Sequence, residues 1–117
     1  MNTTLEKLGQ FGVVPVVVLD DAKDAKPLAK ALCDGGLACA EVTFRTDAAE
    51  ESIRIMTEAY PEMVVGAGTV LTIDQAQRAL NAGAKFIVSP GFNPKVVKWC
   101  LEQGVTPLPG INTPSEI

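Results

Sequence analysis

Glycines at regular intervals, each placed between a helix-like stretch and an apolar run, are the sequence feature that most restricts the fold. They occur in DGG at 34–36, NAG at 81–83 and EQG at 102–104. Their spacing corresponds to a unit of about 23 residues, which is the length of one strand and one helix. The sequence is therefore predicted to repeat a βα unit.

Apolar periodicity predicts the individual elements of this repeat. Four amphipathic helices are predicted after a short N-terminal helix, because apolar residues recur at helical spacing within 25–32, 49–60, 76–80 and 97–101. Strands are predicted at 13–19, 37–44, 63–67, 86–89 and 105–108. Alternation of strands and helices is typical of an α/β fold with a parallel sheet covered by helices. Residues 1–117 are expected to form a single domain.

The sequence leaves two α/β architectures to compare. A doubly wound sheet fits five strands, whereas a (β/α)₈ barrel needs eight strands and typically about 200 residues or more. With 117 residues, length alone favours the open sheet.

Local sequence signals predict where three helices begin. Asp20 or Asp21 opens the first, the stretch 72–75 fits a capping box, and Asn93 followed by Pro94 fits an N-cap with proline at the first helical position.

Charge and apolar runs argue against polyanion and membrane partners. The net charge of −4 comes from 14 acidic and 10 basic residues without a basic run, which argues against nucleic acid and anionic membranes. The N-terminus lacks the pattern of a signal peptide, and the apolar run 13–19 is too short to span a bilayer. We expect a soluble, cytoplasmic protein.

The absence of histidine restricts the available chemistry. Ser-His and Cys-His nucleophile pairs and histidine-rich metal sites are excluded, so catalysis must use carboxylates, lysine or arginine. Cys33, Cys39 and Cys100 are odd in number and lack CxxC spacing, which predicts reduced, buried thiols rather than a zinc site.

The stretch CAEVTFRT at 39–46 places charged residues inside an apolar strand. Side chains alternate between the two faces of a strand, so Glu41, Thr43 and Arg45 share one face. Ligands bind at the carboxyl ends of parallel strands, and this face is predicted to line a pocket with Glu41 and Arg45 about 13 Å apart by strand rise. The alternative is a buried Glu–Arg pair without chemistry.

Two more strand ends carry signals. Gly66 and Gly68 precede Thr69 and are expected to leave room for a ligand or another backbone. GAGTVL lacks the third glycine of a dinucleotide fingerprint and the lysine of a P-loop, which argues against a nucleotide site. The stretch from Ser89 through Pro90 to Gly91 is predicted to redirect the chain before the next helix, as an ordinary βα turn also would.

The succession VVPVVV, GGLACAEVTFRT, VVGAGTVL, AGAKFIVSPGFNP and TPLPGINTPSE closely resembles the bacterial 2-keto-3-deoxy-6-phosphogluconate (KDPG) and 4-hydroxy-2-oxoglutarate (KHG) aldolases, over essentially the whole chain. The resemblance implies a (β/α)₈ barrel, usually trimeric, that cleaves a 2-keto-3-deoxy acid to pyruvate and an aldehyde through a lysine Schiff base, without a metal or other cofactor. It overrides the length argument and implies an N-terminal partial barrel with about five parallel strands.

The resemblance also implies site residues. The family's acid/base glutamate falls on Glu41, its pyruvate-carboxylate arginine on Arg45 and its carboxylate-binding threonine on Thr69. Thr43 and Pro90 are further candidates at the same strand ends. The VTFR sequence favours the gluconate and hydroxyoxoglutarate group over the galactonate analogue.

The lysine expected from the resemblance has no counterpart in this sequence. In the family it lies on the sixth strand in a Phe-Lys-Phe-Phe-Pro type motif, and no such segment occurs here. Lys85 is the only strand candidate, and it is expected to be a solvated lysine at the opposite, N-terminal end of its strand. The chain is then either part of an aldolase or an inactive half barrel that self-associates. A weaker third hypothesis is a keto-acid binding module that uses Arg45 and Thr69.

Overall fold

The computed structural model describes residues 3–91 and 93–110, so Phe92 and the INTPSEI end of the quoted motifs lie outside the described residues. The elements are α1 (Thr3–Phe11), β1 (Val16–Val17), a 3₁₀ helix (Ala22–Asp24), α2 (Ala25–Asp34), β2 (Cys39–Thr43), α3 (Ala49–Ala59), β3 (Val64–Gly68), α4 (Ile73–Ala82), β4 (Phe86–Ser89), α5 (Pro94–Gln103) and β5 (Thr106–Pro109). The predicted alternation of strands and helices after an N-terminal helix is confirmed.

The five strands form one parallel sheet in the order β1-β2-β3-β4-β5. All carboxyl ends therefore lie along one edge, which we call the carboxyl edge. β1 is much shorter than the predicted 13–19, because it lies at one side of the sheet and only Val16 and Val17 pair with β2. Pro15 has no N–H to donate, and its carbonyl oxygen accepts a hydrogen bond from the Glu41 N–H at 2.9 Å.

Apolar side chains cover both faces of the sheet. On the helix side, Ala40 and Val42 pack with Ile53 and Met56 of α3 in the larger core. The opposite face, which we call the inner face, carries a smaller cluster whose buried members are Leu8, Cys39, Val64 and Phe86. Helix α1 supplies Leu8 to this cluster and so covers the inner face near the amino ends of the strands.

The predicted helix starts are confirmed with two differences. Thr72 accepts from the Gln75 N–H at 3.1 Å, but the Gln75 side chain accepts from the Leu71 N–H instead of the Thr72 N–H, so the reciprocal bond of a capping box is displaced by one residue. Asp21 caps the 3₁₀ helix that precedes α2 rather than α2 itself. Asn93 caps α5 as expected.

Cysteine and lysine positions bear on two further expectations. Cys39 and Cys100 are buried, Cys33 is partly buried, and all three are free thiols, as predicted. Lys85 lies just before β4, at the amino end of the strand. It is not simply solvated as expected, because Lys85 is half-buried and its Nζ donates to the carbonyl oxygens of Pro61 and Met63 at 3.1 Å each.

Within the part of the chain that the structure describes, no helix combines the length and the apolar character needed to cross a membrane.

Gly83 and Gly104 end α4 and α5 with positive φ angles of 111° and 76°. A Cβ on Gly83 would lie 2.7 Å from Oγ1 of Thr57, whereas a Cβ on Gly104 would contact nothing within 4 Å. The Thr57 hydroxyl is held within 3.1 Å of three backbone carbonyl oxygens, so it cannot move away freely.

We expect Gly104→Ala to lower the free energy of unfolding by about 1–2 kcal/mol, the cost of a left-handed alanine. Gly83→Ala should lower it by at least about 1 kcal/mol more, because it adds a steric clash. Urea denaturation of both variants measures the difference. Equal losses would show that the contact with Thr57 is not restrictive.

Candidate active site

Glu41 and Thr43 lie on the inner face of β2, as the alternation predicts. Ala40 and Val42 point to the helix side and pack in its core, whereas Cys39 belongs to the cluster of the inner face. Glu41 is half-buried and Thr43 is 1% exposed. The sequence pattern therefore predicted the orientation of these residues.

Gly68 makes the space that the Glu41 side chain occupies. A Cβ on Gly68 would lie 2.7 Å from Cδ of Glu41, closer than real Cβ atoms approach. Strand register pairs Glu41 with Gly66 and Thr43 with Gly68. The Glu41 carboxyl group thus leans across β3 and forward, towards the carboxyl edge.

Gly66 makes equivalent space for an aromatic ring. A Cβ at this position would overlap the ring of Phe86, which is buried on the inner face. The two glycines were expected to leave room for a ligand or another backbone. That expectation is wrong about what fills the space, because the side chains of Phe86 and Glu41 occupy it beside Gly66 and Gly68.

Burial controls the protonation of Glu41. Loss of hydration raises the pKa of its carboxyl group above the ordinary value of 4.5, and the positive charge of Arg45 acts in the opposite direction. Among the ion pairs formed by the described residues, none joins Glu41 to Arg45. The alternative of a buried Glu–Arg pair is therefore not what the structure contains.

Arg45 lies outside strand β2. The strand ends at Thr43, and Phe44 and Arg45 form a turn in which the Phe44 N–H donates to the Gly68 carbonyl oxygen at 2.8 Å. The separation of Arg45 from Glu41 thus cannot be taken from strand rise, because the extended backbone stops between them. The Arg45 side chain is exposed beside the carboxyl edge.

Thr69, directly after β3, has an unusual backbone conformation. Its φ is 56°, and it is the only non-glycine residue with a positive φ among the described residues. A β-branched residue in this conformation costs of the order of 1–2 kcal/mol. Hydrogen bonds on both sides hold it there, from the Phe44 N–H to the Gly68 carbonyl and from the Val70 N–H to the Val88 carbonyl.

Pro90 is exposed in the turn after β4. The Ser89 hydroxyl donates to the Gly91 carbonyl at 3.0 Å, which closes the predicted turn. A cavity of about 210 Å³ lies here, and its lining residues are Val70, Leu71, Ser89, Pro90, Gly91 and Asn93. Pro90 is thus at the carboxyl edge, in a cavity that Glu41 does not line.

Sequence reasoning missed the steric role of Gly68 and the state of the Thr43 hydroxyl. The GAG pattern signalled close approach at this strand, but only the register shows which side chain approaches. No sequence signal shows that Thr43 Oγ1 lies buried without a hydrogen-bond partner in the described part of the chain.

The raised pKa of Glu41 has a consequence for stability. Between the ordinary value of 4.5 and the raised folded value, the native state binds more protons than the unfolded state, so this group lowers stability as pH rises through that interval. We expect Glu41→Gln to be more stable than the wild type at about pH 7, by no more than about 1 kcal/mol because water screens a half-buried group.

This advantage should disappear at about pH 4, where the carboxyl group is protonated in the folded protein. Urea denaturation at both pH values measures it, with Glu58→Gln as the exposed-carboxylate control. An unchanged or lower stability of Glu41→Gln at about pH 7 would contradict the prediction.

Comparisons with known proteins show the family of this chain. The family model described as KDPG and KHG aldolase matches residues 5–117. The chain is 52% identical over 117 residues to the 2-dehydro-3-deoxy-phosphogluconate aldolase of Treponema pallidum. The alignment covers 100% of this chain and 56% of that relative. The chain spans about half the length of the curated relatives it matches.

Two solved structures show the same fold. The KDPG aldolase of Zymomonas mobilis with 3-phosphoglycerate has a TM-score of 0.83 and 45% identity, over 89% of this chain and 49% of that chain. The KDPG aldolase of Legionella pneumophila, with pyruvate captured as a covalent carbinolamine intermediate, has a TM-score of 0.83 and 36% identity, over 88% of this chain and 50% of that chain. The chain therefore belongs to the KDPG and KHG aldolase family.

Proposed function

We propose that this chain supplies the pyruvate-handling part of a class I aldolase that cleaves KDPG or KHG to pyruvate and an aldehyde. The observation that carries the proposal is the half-buried Glu41 carboxyl group, which Gly68 admits to the inner face and directs towards the carboxyl edge. Family membership supports the reaction class. In this proposal residues 1–117 form one domain, the N-terminal part of a (β/α)₈ barrel.

Arg45 and Thr69 are the proposed ligands of the pyruvate carboxylate. An exposed guanidinium group can bind a carboxylate through two parallel hydrogen bonds, and a hydroxyl group can donate a third. The strained backbone of Thr69 supports this role, because strain of this kind concentrates at ligand-binding positions.

Glu41 is the proposed acid and base. A glutamate whose pKa is raised by burial can take and return a proton at a pH closer to neutrality than an exposed glutamate can. Thr43 and Pro90 are secondary candidates, and Pro90 contributes to the separate cavity after β4. The VTFR sequence supports KDPG or KHG over the galactonate analogue.

Lysine placement restricts what this sequence can do by itself. Six of the seven lysines lie on helices, and Lys85 is hydrogen-bonded at the amino end of β4, away from Glu41. A Schiff-base nucleophile must have a lowered pKa and reach the pyruvate carbonyl carbon. Burial and Lys7 do lower the pKa of Lys85, but its position lies at the wrong end of the sheet.

Self-association, expected from the sequence, stays a prediction. Val16 and Val18 are 62% and 49% exposed, and strand register places Val16 beside Glu41 on the inner face. β1 and β5 also have one unpaired side each in the described sheet. These features support an association of copies or of other strands with this face.

The role of Arg45 predicts a specific loss of ligand binding. Arg45→Ala should weaken pyruvate binding by about tenfold to a hundredfold, because a charge-assisted hydrogen bond is lost. Isothermal titration calorimetry with pyruvate measures the affinity. Arg54→Ala is the matched control, since Arg54 pairs with Glu50 and Glu51 on α3 and should leave binding unchanged. Equal affinities in both variants would refute the assignment of Arg45.

The lysine positions predict the result of trapping with borohydride. This 117-residue protein, incubated with pyruvate and borohydride, should keep its unmodified intact mass, because six of its lysines lie on helices and Lys85 lies at the amino end of its strand. Mass spectrometry measures the product, and a longer member of the family serves as the positive control. An adduct, located to Lys85 by peptide mapping, would contradict the prediction.

A further inference from the structure

Two hydroxyl groups are buried without a hydrogen-bond partner in the described part of the chain, Thr43 Oγ1 and Ser52 Oγ. Ser52 lies on α3, on the helix side of the sheet, and is 0% exposed. Thr43 lies on the inner face at the carboxyl end of β2, two residues beyond Glu41. Burial of an unpaired hydroxyl lowers stability, so each of these needs a reason.

Packing does not explain the hydroxyl at position 43. Valine has nearly the same shape as threonine, is at least as suitable for a strand, and would bury no polar atom. Stability alone therefore favours valine at this position. A group kept at a cost to stability is typical of a binding or catalytic site.

Thr43 and the Glu41 carboxyl group both lie beside Gly68. Gly68 is the register partner of Thr43 on the neighbouring strand, at the usual distance of about 4.8 Å between strands. The Glu41 Cδ lies 2.7 Å from the position of a Cβ on that glycine. The Thr43 hydroxyl and the Glu41 carboxyl group thus lie next to the same glycine without a direct hydrogen bond between them. Polar groups placed in this way can share one bridging oxygen atom.

We propose that Thr43 is a positioning residue, whose hydroxyl group and the Glu41 carboxylate together hold one oxygen atom of the bound 2-oxo acid. The Thr43 O–H donates to this oxygen and keeps its proton. When the oxygen carries a proton, it donates to the carboxylate, and that proton can pass to Glu41. The role of the bound acid rests on the proposed function, and a water molecule in the same place would use the same two hydrogen bonds.

Three variants test the proposal on this protein. Thr43→Val removes the hydroxyl and keeps the shape, Thr43→Ser restores it, and Ser52→Ala removes the other unpaired hydroxyl as a matched control. Each is measured by thermal unfolding, by calorimetry with pyruvate, and by titration of the Glu41 side chain with ¹³C NMR. Among the described residues, Arg45 is the charged group that acts on the pKa of Glu41, and it is unchanged in all three.

Thr43→Val and Ser52→Ala should both raise the melting temperature by roughly 3 °C, because an unpaired polar group is removed. Only Thr43→Val should weaken pyruvate binding, by about tenfold, and Thr43→Ser should restore it to within about threefold of the wild type. A structural role for the hydroxyl would instead make Thr43→Val less stable and would overturn the proposal.

Two different results would support the proposal, and they distinguish whether the oxygen belongs to the ligand or to water. Weaker pyruvate binding in Thr43→Val assigns the oxygen to the ligand. Unchanged binding with a further rise of the Glu41 pKa in Thr43→Val alone assigns it to water. Unchanged binding and unchanged titration overturn the proposal. If the wild type binds no pyruvate, the proposed function is contradicted, while the Glu41 titration still decides the role of Thr43.

Discussion

The parallel pairing of β2 with β3 is the constraint on which the rest of the site depends. This register sets Glu41 beside Gly66 and Thr43 beside Gly68, so that one residue without a side chain faces each polar residue. A shift of one residue would turn Glu41 towards the helix side, into a core of alanine, valine, isoleucine and methionine. The Glu41 carboxyl group is therefore compatible with the fold in this register, and it would not be after a shift of one residue.

The carboxyl edge concentrates features that lower stability. Glu41 loses hydration, Thr43 buries an unpaired hydroxyl, and Thr69 holds a left-handed backbone. The amino ends of the strands show the opposite character, since Leu8 packs under Val64 and Lys85 binds two carbonyl groups. Such a division is expected when one end of a sheet holds the fold together and the other end handles a ligand.

Much of the fold could be predicted from the sequence because its signals are local. The glycines after α4 and α5, the caps at Thr72 and Asn93, and the apolar face of Ala40 and Val42 each follow from residues close in sequence. Strand ends were predicted less well. β1 depends on pairing across the sheet, and the turn at Phe44 depends on a bond to Gly68, and neither contact is visible in a local pattern.

The sequence predicted which residues belong to the candidate site better than it predicted how they are arranged. Alternation placed Glu41, Thr43 and Arg45 on one face, although the strand ends before Arg45. The resemblance assigned roles to Glu41, Arg45 and Thr69. The space above Gly66 and Gly68 was misinterpreted, because a glycine pattern shows that something comes close and does not show what it is. The unpaired state of Thr43 depends on every neighbour in three dimensions, so it could not be inferred from the sequence.

The contact between Gly66 and the Phe86 ring also limits the order in which substitutions can accumulate during evolution. A larger residue at position 66 becomes acceptable only after the ring at position 86 has been replaced by something smaller. In the reverse order, the intermediate protein would have the new side chain at position 66 and the Phe86 ring in the same volume. The residue that is acceptable at either of these positions, which lie on neighbouring strands, therefore depends on the residue at the other.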